Sequence, residues 1–234
     1  MKTTQRRIFL SPLLVRILKL GHAVSWWSSI ASGDLRHVLR TFNGLPLDYS
    51  GRLNFLVNDH NPFIFSRNIA LLLILGNVAD ETIAADIALH FWYSAFIPVG
   101  YRFQLSVTLM AFLQKLTDGV LPIPLGPRST ISAFVSKEVA SHLSHFVSSG
   151  LSTAEIQNEY DRVRTAPSRC DYRDRMYASL RPSHRVAFNE FRRFGIVLPF
   201  GAMNAHFNCP NLSLFSPDGK WLQTDYADPL EGWE

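Results

Sequence analysis

The sequence predicts an α/β protein with a doubly wound sheet, and three patterns in its first half predict it. Residues 24–32 (VSWWSSIAS) are apolar and small, as in a buried parallel strand. Residues 35–42 place apolar side chains at helical spacing, and residues 53–57 (LNFLV) repeat the strand pattern. A second helix begins at Asn61-Pro62, because Asn is a favoured cap and Pro a favoured first helical residue. Strand, tight turn, helix, strand and helix in this order begin a doubly wound fold.

The rest of the chain is predicted to be largely helical. The second helix ends at Gly76, and Asp80 caps a third helix that reaches Phe96. Further helices are predicted at 103–116, at 130–147, from Ser152 with Glu155 in a capping box, and at 182–194, with short strands at 196–200 and 212–215.

Three parts are predicted along the chain. A Pro-rich run at 122–127 separates an α/β core at 25–121 from a helical extension at 122–234, which is expected to pack on the core. Residues 1–24 form a basic N-terminal arm. The cations that precede the first acid, Asp34, are Lys2, Arg6, Arg7, Arg16 and Lys19.

The arm has three interpretations. An acid-free, arginine-bearing N-terminus is typical of a mitochondrial transit peptide. A basic amphipathic helix can also contact an acidic surface, or the arm is simply the first helix of the fold. The expected location is the cytoplasm, with mitochondria as the alternative.

Composition excludes several classes of protein. The chain is 47% apolar and 18% charged, which is globular rather than disordered. Its most apolar run, 69–75, is much shorter than the roughly 20 residues that a transmembrane helix needs. The two cysteines, Cys170 and Cys209, have neither the C-x-x-C pattern nor the spacing of a pair of zinc ligands, which argues against a zinc finger and a disulfide framework and favours a reducing compartment. Nucleic acid is not an expected partner, because the charges are mixed and no aromatic-basic ladder is present.

The sharpest candidate for chemistry is a nucleoside site at the ends of the first two predicted strands. Gly33 and Asp34 follow the first strand, and Asp59 ends the second, where a carboxylate can bind the hydroxyl pair of a ribose. The spacing of 26 residues from Gly33 to Asp59 slightly exceeds the usual value of roughly 20. A full fingerprint also carries several glycines, whereas this turn has Gly33 alone. The competing interpretation is a plain turn at Gly33 with Asp34 as a helix cap.

Three stretches resemble an uncharacterised fungal family, the domain of unknown function 4470. They are ASGDLRHVLRTFNGLP (31–46), LNFLVNDHNPFIFSRNIALLLIL (53–75) and HFWYSAFIP (90–98), while FRRFGIVLPFG (191–201) and DPLEGW (228–233) are similar to its downstream region. The same domain is related to the N-terminal part of dynein axonemal assembly factor three. The resemblance implies a Rossmann-like, class I methyltransferase-like topology with a degenerate ligand loop and no established activity. Besides Gly33, Asp34 and Asp59, the residues that match its motifs are Arg36, Asn58, Asn61, Arg67, Asn68, Trp92 and Tyr93.

Two functions follow from these observations. The degenerate loop and the lack of catalytic motifs predict a noncatalytic protein-interaction or assembly module, with a protein partner and no cofactor. The alternative is an S-adenosylmethionine-dependent methyltransferase of unknown acceptor, in which Gly33, Asp34 and Asp59 would bind the cofactor.

Structural roles compete with both functions for the charged residues. Arg36, Asp59 and Arg67 can form buried ion pairs that fix the strand ends, and removing one partner of such a pair costs about 3–5 kcal/mol. His142 and His145 lie three apart on a predicted helix, but no third ligand is evident, so no metal is expected.

Overall fold

The computed structural model describes residues 14–19, 24–30, 35–46, 48–49, 51–127, 129–148, 150–164, 167, 170–199 and 201–222. These residues form two compact units. The first unit takes the described residues of Met1–Ile69 and Leu113–His142, and the second takes those of Ala70–Phe112 and Leu143–Glu234. Within the described ranges, no helix is both long enough and apolar enough to cross a membrane.

The predicted order of elements is present in the first half of the chain. The strands are β1 (Leu14–Lys19), β2 (Val24–Ile30), β3 (Arg52–Asn58), β4 (Phe96–Ile97), β5 (Ile123–Leu125), β6 (Ser129–Phe134) and β7 (Cys209–Pro210). The helices are α1 (Arg36–Asn43), α2 (Pro62–Asn77), α3 (Glu81–Tyr93), α4 (Val99–Thr117), α5 (Lys137–His145), α6 (Thr153–Arg164), α7 (Cys170–Ser179) and α8 (Pro182–Phe194). The predicted strand, helix, strand and helix are confirmed as β2, α1, β3 and α2.

Strands of the first unit form one five-stranded sheet in the order β2-β3-β1-β6-β5. β2 and β3 are parallel neighbours, with Ile30 opposite Asn58, so α1 is the crossover of a βαβ unit. The remaining pairings of this sheet, β1 with β3, β1 with β6 and β5 with β6, are antiparallel. The described sheet is therefore mixed, whereas a doubly wound fold has mostly parallel strands.

Three strands of this sheet lie where the sequence predicts other features. β1 lies in the basic arm and pairs along both edges, with β3 and with β6. β5 lies in the Pro-rich run that was the predicted boundary. β6 occupies the beginning of the helix predicted at 130–147, so that prediction is wrong over 130–134, whereas α5 confirms its later part. Strand pairing between distant segments decides these elements, and a local pattern does not show it.

Alternation along β3 buries an apolar face of the sheet. Leu53, Phe55 and Val57 are nearly fully buried. Phe42 of α1 contacts Phe55 with ring centroids 4.6 Å apart, so α1 covers this face. Asn54 points to the opposite face and is 0% exposed, and its amide has no hydrogen-bond partner in the described part of the chain. A buried polar group without a partner is rare and destabilises a fold by about 1–3 kcal/mol.

The core of the second unit joins its helices to the loops after α8. α8 ends at Gly195, as predicted, in a left-handed conformation with φ of 67°. Residues 196–199 are irregular and residues 212–214 form a 3-10 turn, so both strand predictions for this region are wrong. The turn forms because the side chain of Asn211 accepts the N–H of Ser213. The buried cluster consists of Ala95, Phe96, Ile156, Tyr160, Ile196, Phe207, Leu214 and Phe215.

Candidate functional site

The parallel pairing of β2 and β3 brings the carboxyl ends of the two strands side by side. Ile30, the last residue of β2, lies opposite Asn58, and Asp59 follows directly. Gly33 and Asp34 lie outside the described residues. Asp59 is thus the one predicted nucleoside-binding residue that can be located at this edge.

Asp59 is part of the start of α2. The residue is 6% exposed, and its Oδ1 accepts the N–H of Asn61 over 2.8 Å. Asn61 Oδ1 in turn accepts the N–H groups of Phe63, at 2.9 Å, and Ile64, at 3.4 Å. Asn61 is therefore the N-cap of α2, as predicted. Asp59 and Asn61 act in sequence to fix the turn from β3 into this helix.

The other motif residues are divided between the two units. Arg36, Asn58 and Arg67 are half-buried in the first unit, where Asn68 is almost fully buried. Ion pairing among Arg36, Asp59 and Arg67 stays a prediction. Trp92 and Tyr93 are half-buried in the second unit and stack with ring centroids 5.9 Å apart and an interplanar angle of 15°.

The second unit contains a polar cluster that the motif search missed. Asp86, His90 and Ser94 follow one another at intervals of four residues, which places them on one face of α3 and at its C-cap. His90 Nδ1 lies 2.9 Å from Ser94 Oγ, and His90 Nε2 lies 3.6 Å from Asp86 Oδ1. The hydroxyl of Tyr101, on α4, donates to the other carboxylate oxygen of Asp86. The spacing is visible in the sequence, but the role of each residue is not.

Asn211 connects this cluster to the C-terminal part of the unit. It is 1% exposed, and its Nδ2 donates to the carbonyls of His90 at 3.3 Å, Phe91 at 2.9 Å and Ser94 at 2.8 Å. The carbonyl of His90 also accepts the N–H of Ser94 at 2.9 Å, and that of Phe91 also accepts the hydroxyl of Ser213 at 3.3 Å. Asn211 therefore adds a donor at the end of α3, where helical carbonyls run out of partners. Val197 adds a further link, because its N–H donates to Ser94 Oγ over 3.1 Å. In the sequence, only the pair Pro210-Asn211 marks this position, and it does not indicate the role of Asn211.

The surroundings of His90 and Tyr101 favour the neutral form of each side chain. Burial lowers the pKa of His90, against the opposing effect of Asp86, and His206 lowers it further. Burial and the hydrogen bond to Asp86 raise the pKa of Tyr101 to about 12. His90 is therefore neutral and Tyr101 protonated near neutral pH.

Aspartate, histidine and serine in a line are the residue types of a hydrolytic triad. Here the hydroxyl of Ser94 is 0% exposed and accepts the N–H of Val197, so no substrate reaches it in this conformation. A nucleophile must be accessible to the atom that it attacks. We interpret the cluster as a structural link between α3 and the C-terminal segments.

Across the residues that the structure describes, no group of three side chains is arranged to hold a metal ion.

Helix α4 presents an exposed apolar face. Val99, Phe103, Val107 and Met110 are 50–69% exposed, and their spacing places them on one side of the helix. We call these four residues the α4 stripe. The opposite side, with Leu105, Leu109 and Phe112, is buried in the second unit. Exposed apolar residues are normally scattered singly, and a contiguous row of them marks a contact surface.

The chain matches one family model, which is described as a domain of unknown function, DUF4470. Residues 28–97 match it. The match confirms the resemblance to this family over less than half of the chain. It includes Asp59 and the three residues Asp86, His90 and Ser94, which we call the α3 cluster, and it ends before the α4 stripe. No curated protein and no solved structure matches the chain.

Proposed function

We propose that the protein is a noncatalytic protein-interaction or assembly module on a degenerate methyltransferase-like scaffold. The observation that supports this proposal is the α4 stripe. Burial of apolar surface contributes roughly 25 cal/mol per Å², and the stripe leaves that contribution unused in the isolated chain. A protein partner that covers it would gain this energy.

The length and spacing of the stripe indicate what kind of surface the partner presents. Val99 and Met110 are eleven positions apart, which is about 17 Å along a helix at roughly 1.5 Å per residue. Apolar residues at such intervals pack best against another helix with an apolar face. Gly100 and Gln104, beside the stripe, carry no charge, so the contact needs no ionic match. The proposed partner is therefore a protein that presents an apolar helix face.

A paired charge substitution tests this proposal. Phe103→Asp with Met110→Asp places two carboxylates on the stripe without touching the buried side of α4. Ala154→Asp with Asn158→Asp is the control, because both residues are exposed on α6 and the added charge is the same. Native purification followed by cross-linking and mass spectrometry should give a partner cross-linked to α4 in the wild type and the control. The stripe variant should lose that partner.

Two outcomes would count against the proposal. An identical set of cross-linked partners in the stripe variant and the wild type would show that the stripe binds nothing. If light scattering detects a dimer of the wild type that the stripe substitutions abolish, the partner is a second copy of the chain and not a different protein.

The second candidate is an S-adenosylmethionine-dependent methyltransferase. It is supported by Asp59, which follows β3 beside the end of the parallel strand β2. Calorimetric titration with S-adenosylmethionine and S-adenosylhomocysteine tests it, with Asp59→Asn as the variant. Asparagine keeps an oxygen for the N–H of Asn61 and removes the charge. Binding at about 1–100 μM (roughly −8 to −5.5 kcal/mol), weakened in the variant, would favour the enzyme. No heat from the folded wild type would remove this candidate.

For location we propose the cytoplasm, with mitochondrial import through the basic arm as the alternative. Deleting residues 1–20 would remove β1 from the sheet, so a deletion would confuse import with folding. Residues 1–20 fused to a fluorescent protein avoid this problem. Mitochondrial fluorescence of the fusion would select the alternative, and a diffuse signal would reject it.

A further inference from the structure

A groove of about 290 Å³ lies in the second unit between α8 and the segment that follows it. One wall is the helix face with Ala187, Phe191 and Phe194. The other is formed by residues that follow α8, which are Ile196, Val197, Leu198, Pro199, Gly201, Ala202 and Asn204. We call it the α8 groove. Its volume is at the lower end of the roughly 300–1,000 Å³ typical of small-molecule sites.

Along the groove, residues whose backbone hydrogen-bonds to the rest of the unit alternate with residues whose backbone does not. Ala95 N–H donates to the carbonyl of Gly195 over 2.6 Å, and Val197 N–H donates to Ser94 Oγ over 3.1 Å. By contrast, the N–H and carbonyl groups of Ile196 and Leu198 make no hydrogen bond with any part of the chain that the structure describes. In the edge strand of a sheet, residues whose backbone bonds to the neighbouring strand alternate with residues whose backbone has no partner. The groove wall thus contains two residues whose backbone groups have no hydrogen-bond partner among the described residues.

Among the described residues that line the groove, one carries a carboxylate. Glu190 lines it and is exposed, and its side chain makes no ion pair or hydrogen bond within the described ranges. The next charged residues along α8, Arg192 and Arg193, do not line the groove. A ligand with a cation at this position would therefore meet an unpaired negative charge beside an apolar surface.

We propose that the α8 groove binds an extended apolar segment of a protein partner by strand addition. Its backbone pairs with Ile196 and Leu198, its apolar side chains pack between Ala187 and Phe194, and a lysine or arginine lies against Glu190. Main-chain pairing supplies affinity, and the groove and the carboxylate supply specificity. This site is separate in residues from the α4 stripe, so its test can fail while the stripe still binds a partner.

The test uses defined peptides. Two fluorescein-labelled nine-residue peptides alternate valine and threonine and differ only at the central position, which is lysine in one and glutamate in the other. Fluorescence polarisation should show that the wild type binds the lysine peptide at least tenfold more tightly, which is about 1.4 kcal/mol. Glu190→Lys should reverse this order. Equal affinities that Glu190→Lys leaves unchanged would overturn the role of the carboxylate and with it the proposal.

Two further measurements separate the groove from other surfaces. Ala187→Phe fills the groove and should weaken binding at least tenfold, whereas Ala154→Phe, on the exposed face of α6, should not change it. Hydrogen exchange at the amides of Ile196 and Leu198 should slow when the lysine peptide is bound. Unchanged exchange at both amides, or no binding of either peptide at 1 mM, would overturn strand addition. If the protein binds dodecylamine but neither peptide, the groove is a site for a small amphiphile, and the strand-addition proposal is overturned.

Discussion

Replacing Gly195 with alanine tests the packing between the end of α8 and the core of the second unit. The residue has φ of 67°, and a left-handed residue other than glycine costs roughly 1–2 kcal/mol. An added Cβ would also lie 2.9 Å from the Cβ of Ala95 and 2.9 Å from a ring carbon of Tyr160, both 0% exposed. Overpacking of this kind costs about 1–3 kcal/mol. We therefore expect Gly195→Ala to lower the free energy of unfolding by about 2–5 kcal/mol.

Urea denaturation followed by tryptophan fluorescence measures this loss. Gly119→Ala is the matched control, because Gly119 has φ of 70° but no atom within 4 Å of its added Cβ. The control should lose only the conformational part, about 1–2 kcal/mol. If both variants lose the same free energy, the close approach of Ala95 and Tyr160 to Gly195 does not exist and the packing described for this core is incorrect.

Three further predictions concern the buried polar groups. Asn54→Leu should raise the free energy of unfolding by about 1–3 kcal/mol, because it removes a buried amide that has no partner in the described residues; a lower urea midpoint would show that the amide is bonded. Asn211→Ala should cost about 1–3 kcal/mol, because the buried carbonyl of Ser94 loses the donor that Asn211 supplies, whereas Asn208→Ala, at an exposed residue, should have little effect on thermal unfolding. Burial lowers the pKa of His90 below its usual value of 6.5, so the unfolded chain binds the proton more readily, and stability should fall as the pH drops below 6.5. His90→Gln should flatten this part of the stability profile, and an equally steep profile in the variant would contradict the burial of His90.

The local part of the fold is readable from the sequence. β2, α1, β3 and α2 follow from apolar spacing, and the caps Asn61 and Asp80 and the terminator Gly195 follow from the preferences of single residues. These features depend on neighbours a few residues away. That is why patterns in one sequence suffice to predict them.

The nonlocal part could not be read in this way. β1 and β6 are strands because each pairs with the other, more than 100 residues apart, although one lies in a basic arm and the other beside a helical pattern. The α3 cluster has the same origin, because Asn211 donates to carbonyls about 120 residues earlier in the chain. The α4 stripe could not be predicted from the sequence for a different reason. α4 is apolar on both sides, so the sequence does not indicate which side the fold covers.

The central claim is that the α4 stripe binds a protein partner. The mass of the complex purified under native conditions, measured by light scattering for the wild type and for Phe103→Asp with Met110→Asp, tests it most directly. We predict that the wild type forms a defined complex that is heavier than the 26.5 kDa chain and does not have the mass of its dimer, and that the variant is a 26.5 kDa monomer. A wild type with the mass of a 26.5 kDa monomer or of its dimer, or a variant that keeps the full mass of the complex, would contradict the claim.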